Sequence, residues 1–362
     1  MRTSPIIHNM NLGKALNETE NTDQVIKGLV SVGLPVMNGS HTIAFAIERL
    51  LGQSFKNIEI IISDNFSSDE TLAIVTKIAK EDSRVRILTT DKNRGSIWNF
   101  NRVLLEAKGE FFMWAAHDDY HEKDFIKNCL EILLKKNNAV LCMPEVQMKI
   151  QGSDKLVWSA NFKSFDYLEN PVERFGHALR TLPSVSMYGL FRKNALLKSG
   201  GIHSIVGGDI IGIQALSLLG NFVSCEEHLF TRVSRIDWNS GNQDVAVFLG
   251  DQKRINRISI LPKLFLAQWK IAFKKEYSYS FRFSLSMVLF KYQLREIASK
   301  VSLHIYKRIL PKKMQIKFAS NFYNLLFANE NFTPKDKALF FNRIILPTLR
   351  LQIPNGKVDS LL

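Results

Sequence analysis

The sequence predicts an α/β fold: a mostly parallel sheet flanked by helices, followed by a basic helical extension. Three observations carry that expectation. Short apolar runs alternate with amphipathic segments between residues 30 and 143, the pattern of βαβ units. Each apolar run opens into a loop rich in Asn, Asp, Ser or Gly, as strand ends do. The last third then changes character. Residues 251–362 hold 21 Lys+Arg against 6 Asp+Glu, whereas residues 1–250 hold 27 against 28, so the net charge of +14 belongs to the C-terminal third.

In chain order, residues 1–27 read as a polar leader with no apolar core segment, unlike a signal peptide. Val30–Val36 is the first strand. Ser40–Leu51 has helical spacing in Ile43, Ala46, Ile47, Leu50 and Leu51, with Ser40 as a candidate N-cap. Ile58–Ser63 is the second strand. The helix Ser68–Lys80 follows, with Ser67 or Ser68 as cap and Glu70 near the positive end of its dipole. Val85–Leu88 is the third strand and Ile97–Ala107 a helix that Gly109 terminates. Glu110–Ala115 is the fourth strand, Asp124–Lys135 a helix, and Ala139–Met143 another strand. The pattern loosens over 151–205. Asp209–Leu219 reads as a helix ending at Gly220. Beyond residue 250 the chain is helical, basic and rich in Phe, which places a boundary near 240–250.

Composition narrows the class. A hydrophobic content of 46% belongs to a globular protein. Cys129, Cys142 and Cys225 show no metal-ligand spacing, which fits a reducing compartment and argues against zinc. No apolar run reaches the ~18 residues of a membrane span.

The chemistry concentrates in four loops that follow strands: Leu34–Gly39 (LPVMNG), Ser63–Asp69 (SDNFSSD), Asp91–Asn101 (DKNRGSIWNFN) and Ala116–Tyr120. In a doubly wound sheet all four fall on the carboxyl edge, where ligands bind. Together they supply turns at Gly39 and Gly95, amides at Asn38, Asn93 and Asn99, and carboxylates at Asp64, Asp118 and Asp119. The acid pair follows the apolar run Phe111–Ala116 directly, which suits a divalent metal and a phosphorylated substrate. Plainer roles stand beside these. Asp118 and Asp119 suit a helix start, Asp64 a turn, and Asp209, after Gly207-Gly208, an N-cap. His117 is expected to be structural, Trp98 and Trp114 to pack, and Glu226 and Glu227 to form a solvated turn, with a catalytic base there as the alternative to Asp209.

As an ordered set, VSVGLPVMNG (30–39), QSFKNIEIIISDNFSSDET (53–71), NRGSIWNFN (93–101), GEFFMWAAHDD (109–119) and YGLFR (188–192), then Gly208-Asp209 and a helix, resemble the family 2 inverting glycosyltransferases with the GT-A fold. The resemblance spans roughly 28–235, and implies a Rossmann-like GT-A domain over 28–245, with a nucleotide-sugar half at 28–150, an acceptor half at 151–245, and a basic extension at 246–362. It implies that Pro35, Met37 and Asn38 line the nucleoside pocket, that Asp64 bonds the base, and that Asn93 and Gly95 lie beside base and ribose. Asp118 would approach the ribose, Asp119 would ligate Mn²⁺ or Mg²⁺, and Arg232 would lie near the diphosphate. His117-Asp118-Asp119 would be this chain's form of the family's DXD motif, and Asp209 the general base. The family often has Tyr or Phe where Met37 stands and a second acid where Ser63 stands.

The implied activity is metal-dependent transfer with inversion from a nucleotide sugar, UDP-linked by expectation, to a glycan or lipid-linked acceptor in surface polysaccharide synthesis. The expected location is cytoplasmic, peripheral on the inner face of the membrane where the basic region meets anionic lipid. No nucleic-acid module is found. A nucleotidyltransferase on a related sheet would carry a basic residue in the loop after the first strand, and Leu34–His41 has no Lys or Arg. A non-catalytic membrane or nucleic-acid binder is the third class.

Overall fold

The computed structural model of this chain describes residues 25–150, 156–160, 163–182, 184–205, 207–234 and 260–309. Most of the polar leader, the boundary near 240–250 and everything beyond 309 lie outside the described residues. Residues 1–289 form one compact unit, and a second comprises 290–362.

Four parallel strands, in the order β3-β2-β1-β4, make the first half of the sheet: β1 (Ile26–Val36), β2 (Ile58–Asp64), β3 (Val85–Leu88) and β4 (Gly109–Trp114). The side chains of β1, β2 and β4 are buried on both faces, hence the nearly unbroken apolar runs. Helices α1 (Ile43–Leu51), α2 (Thr71–Glu81) and α3 (Ser96–Leu105) make the crossovers.

After the short β5 (Tyr120–His121) and helix α4 (Phe125–Lys135), the sheet continues β8-β6-β9-β5, with β7 also on β6. Here β6 is Ala139–Ile150, β7 Leu156–Ala160, β8 Leu190–Arg192 and β9 Asn221–Ser234. β6 and β9 run with the first four strands, while β5, β7 and β8 run against their neighbours. The α/β reading with a mostly parallel sheet therefore holds, with the antiparallel members confined to the second half.

Helix α5 (Pro171–Thr181), a 3₁₀ turn at Ser184–Tyr188, and helices α6 (Lys193–Ser199) and α7 (Gly208–Leu216) occupy the stretch where the pattern loosened. Buried Arg174 of α5 fastens α7 to its surroundings. Its guanidinium donates to the carbonyls of Ser217 (2.9 Å) and Leu218 (3.4 Å) at the end of α7, and of Leu168 (3.1 Å) and Glu169 (2.6 Å). Arg174→Met would strand these acceptors in the interior. The expected cost is about 3 kcal/mol, read by urea denaturation.

Two caps differ from expectation. α1 starts at Ile43, not after Ser40, because the Ser40 amide is engaged by Asp69. α2 starts at Thr71, and neither Ser67 nor Ser68 caps it; both serve the loop that carries Asn38. The three cysteines are buried and free, and the Cys129 thiol hydrogen-bonds with Cys142 and Cys225 in the interior.

Two helices follow the sheet within the described residues, α8 (Ile260–Ala272) and α9 (Tyr279–Ile309). Among the described residues no helix is long and apolar enough to cross a membrane.

Candidate active site

The ends of β1 and β2 are paired in register, Pro35 with Ser63 and Val36 with Asp64. The loop beyond β1 turns at Asn38, a non-glycine residue with φ of 55°. Three successive amides in that loop are taken by side chains from the next crossover. Asn38 N–H donates to Ser67 Oγ (2.9 Å), Gly39 N–H to Thr71 Oγ1 (2.8 Å) and Ser40 N–H to Asp69 Oδ2 (3.1 Å). In return the Asn38 side-chain Oδ1 accepts from Ser68 N–H at 2.9 Å. Asp69 also accepts from both the amide and hydroxyl of Thr71, and these bonds hold its carboxyl well below the usual range. The sequence assigns Asp69 and Thr71 no such role and reads Ser67 as a helix cap. Because these amides are spent inside the protein, the loop offers no phosphate cradle of the kind a nucleotidyltransferase loop presents.

Asp64 is buried, and both readings of it have a place. Its Oδ2 accepts from the Ser67 amide (3.2 Å), which is the turn role. Its Oδ1 is buried with no protein partner, an acceptor left over for something else. Asn65 bridges to the third loop. Its side-chain amide donates to Asn93 Oδ1 (2.9 Å), and its Oδ1 accepts from Arg94 N–H (3.0 Å). Asn93 Oδ1 accepts again from Gly95 N–H at 2.8 Å. Gly95, with φ of 83°, leads into α3, and buried Asn99 one turn on donates to the carbonyls of Ser63 (2.8 Å) and Val36 (3.4 Å). Pro35, Asn38, Asp64, Asn93 and Gly95 are thus tied into one sheet edge, with Met37 half-buried beside Asn38.

Asp118 and Asp119 lie in the turn between β4 and β5, several residues before α4, so they do not start a helix. His117 ties this turn to the first loop: its Nδ1 is 2.7 Å from Thr42 Oγ1. Asp119 is buried, and its Oδ1 accepts from the Val233 amide (2.9 Å). Burial, then the neighbouring Asp118 charge, pushes the Asp119 carboxyl up to about 7, against the pull of Val233 N–H and Arg232.

Asp209 lies at the start of α7. Gly207 is the N-cap of α7, left-handed with φ of 74°, so Asp209 falls in the first helical turn and is not the cap. Gly208 must lack a Cβ: one built there would lie 1.8 Å from the His203 carbonyl oxygen. Burial raises the Asp209 carboxyl above its ordinary value, while the amides of Ile210 and Asp209 itself and the Arg232 charge oppose the rise.

The charges of these groups all act on Tyr188. Its ring stacks on Phe230 (5.4 Å between centroids), and its hydroxyl is pushed up by burial and by the charges of Asp119, Asp118 and Asp209, with Arg232 acting against them. One side chain therefore senses all four charged groups expected of the site. Tyr188 opens the YGLFR match, yet nothing in the sequence assigned it a place among the acids. Glu226 and Glu227 are elsewhere, exposed in the β9 bulge where Cys225 pairs with Pro144 and His228 with Glu145. Glu227 accepts from the Asn128 side chain. Trp114 is buried and bonds the Phe100 carbonyl (2.9 Å), and Trp98 packs under Arg94 and Arg102.

Among the described residues no three His, Cys, Asp or Glu side chains gather as a ligand set. A metal here would draw its protein ligands from the Asp118–Asp119 pair and the rest from phosphate and water, as Mg²⁺ commonly does. The donor set fits: a buried carboxylate against a second carboxylate is the repulsion that a cation cancels.

The family model described as Glycosyl transferase family 2 matches residues 31–193. The chain is 34% identical over 110 residues (30% of this chain, 34% of the relative) to a GalNAc(5)-diNAcBac-PP-undecaprenol beta-1,3-glucosyltransferase of Campylobacter jejuni. It is 32% identical over 109 residues (30% and 42%) to the UDP-Glc:alpha-D-GlcNAc-diphosphoundecaprenol beta-1,3-glucosyltransferase WfgD of Escherichia coli. It is 29% identical over 141 residues (39% and 56%) to a glycosyltransferase of Haemophilus influenzae. The matches span between about a third and just over half of those relatives' lengths. Among solved structures, S. aureus TarS 1-349 in complex with UDP superposes with a TM-score of 0.54 at 16% identity, over 92% of this chain and 88% of that one. That likeness shows the fold, which is GT-A.

Proposed function

We propose, from the match of residues 31–193 to the glycosyl transferase family 2 model, that the protein transfers a sugar, with inversion, from a UDP-linked donor to a glycan or lipid-linked acceptor in surface polysaccharide synthesis. The observation that carries the reading is the buried Asp119 carboxylate, tied through the Val233 amide to the end of β9 next to Arg232. Asp209 and Arg232 lie outside the matched segment, and their charges act on Tyr188 along with those of the acid pair, which supports the reading independently of the match. The names of the Escherichia coli and Campylobacter jejuni relatives favour a lipid-diphosphate-linked acceptor.

In this reading each loop has a task. The free Oδ1 of Asp64 accepts from the base, and the pinned loop at 37–40 walls the nucleoside. Asp118 meets the ribose. Asp119 ligates Mn²⁺ or Mg²⁺, which when bound would neutralise charge developing on the leaving diphosphate. Arg232 supplies a fixed positive charge on the same side. Asp209 takes the acceptor hydroxyl's proton as its oxygen attacks the anomeric carbon. A carboxyl raised by burial is better matched to that work than one at its ordinary value. Attack from the face opposite the diphosphate inverts the configuration and requires no covalent enzyme intermediate.

A panel of UDP-, GDP- and dTDP-sugars, each with Mn²⁺ and with chelator, tests this by thermal shift. UDP-sugar with metal is expected to stabilise by about 2.7 kcal/mol at one hundred times its dissociation constant. No shift with any donor would sink the reading. Asp64→Ala removes the base acceptor, and UDP-sugar affinity is expected to fall about ten-fold or more by calorimetry.

A further inference from the structure

Helix α8 has two faces of different character. One is inside: Gln268 is buried and donates to Gln214 of α7 (3.1 Å), Ile271 and Ala272 are buried, and Leu264 lies against Gly207. The opposite face carries Leu266 and Phe273, 59% and 56% exposed. α9 repeats the arrangement. Leu285 and Leu289 are buried and Val288 packs on Gly176 of α5, while Tyr279 and Phe283 are 89% and 69% exposed. Large apolar side chains thus point outward on two successive helices whose other sides already hold the core. A helix apolar on both sides has a second surface to cover.

Charge identifies the cover. Lys263, Lys270, Lys274, Lys275 and Arg282 lie within this stretch, against the single acid Glu276. A second copy of the chain would bring like charges together. Aromatic rings interleaved with lysines suit the headgroup boundary of an anionic bilayer, where rings enter and ammonium groups stay at the phosphates. We propose that the outward face of α8 and of the first turns of α9 docks on an anionic lipid surface. Since the inner face of α8 holds α7, the helix that carries Asp209, this contact would present the acceptor side of the site to the membrane. That last link rests on the transferase reading, while the lipid contact itself does not.

Flotation of the full chain with vesicles tests it. The protein is expected to float with vesicles of equal parts phosphatidylglycerol and phosphatidylcholine and to stay behind with phosphatidylcholine alone or at high salt. Phe273→Ser with Phe283→Ser is expected to weaken binding about ten-fold or more, and Lys275→Gln about five-fold. Both variants should keep the wild-type circular dichroism and the UDP-sugar thermal shift, which separates a failure of docking from a failure of the donor site. Absence of vesicle binding, or binding undiminished in the double serine variant, would overturn the proposal. So would light scattering in which wild type is a dimer and the double variant a monomer, since a second copy would then cover the face.

Discussion

Asp209→Asn is expected to lower sugar transfer by about two to four orders of magnitude while leaving the UDP-sugar thermal shift in place. The argument is positional. Asp209 sits in the first turn of α7, fixed by the left-handed Gly207 and by the close approach of Gly208 to the His203 carbonyl. Asn fits the same space and loses only the proton-accepting charge. The pH profile carries the second half of the prediction. Burial raises this carboxyl above the ordinary 3.8, and a base works only when deprotonated. The acidic limb of the wild-type rate is therefore expected above that ordinary value, and the residual rate of the Asn variant should lack that limb. Linkage gives the stability sign. A carboxyl raised on folding contributes fully below its unfolded value, and its contribution is lost as pH rises through the folded value. Asn removes that loss, so melting at neutral pH should hold or rise. A drop in both stability and donor response would instead mean that Asp209 only supports the fold.

The first half of the sheet was legible because its strands are buried on both faces. Val30–Val36 and Ile58–Ser63 have almost no polar interruption, and each ends where a loop of Asn, Asp and Ser begins. In the second half the start of β6 was legible as Ala139–Met143, and the rest was not, for a physical reason. β9 places Glu226, Glu227 and His228 outward at a bulge, so its apolar run is broken in the middle and reads as a turn. β5 and β8 are too short to show a period. The acid pair and Asp209 were legible as motif positions, but the tie between the turn after β4 and the end of β9 was not: it depends on the Val233 amide reaching Asp119. The pinning of Asn38, Gly39 and Ser40 was equally hidden, since Ser67 reads as a helix cap in sequence and Asp69 and Thr71 carry no signal there, yet all three bond the loop after β1.

Asp119→Asn is expected to abolish the metal-dependent part of the UDP-sugar thermal shift and to reduce transfer by at least about two orders of magnitude. The substitution is chosen to hold everything else. Asn keeps an oxygen to accept from the Val233 amide, now met by Asp119 Oδ1 at 2.9 Å, so the turn stays tied to β9. What it removes is a negative charge buried beside Asp118. That charge is unfavourable to the fold by itself, being desolvated and next to a like charge, and becomes favourable only with a cation present. Stability and function should therefore part company: melting without metal should hold or rise in the variant, while the gain on adding Mn²⁺ and UDP-sugar should disappear. Asp118→Asn is the control, since its half-buried carboxylate carries less of the desolvation; it should weaken donor binding with a smaller change in metal response. If Asp119→Asn instead destabilised the protein without metal and kept the full metal-dependent shift, the carboxylate would be a structural partner of Val233 and the metal would have to be held elsewhere.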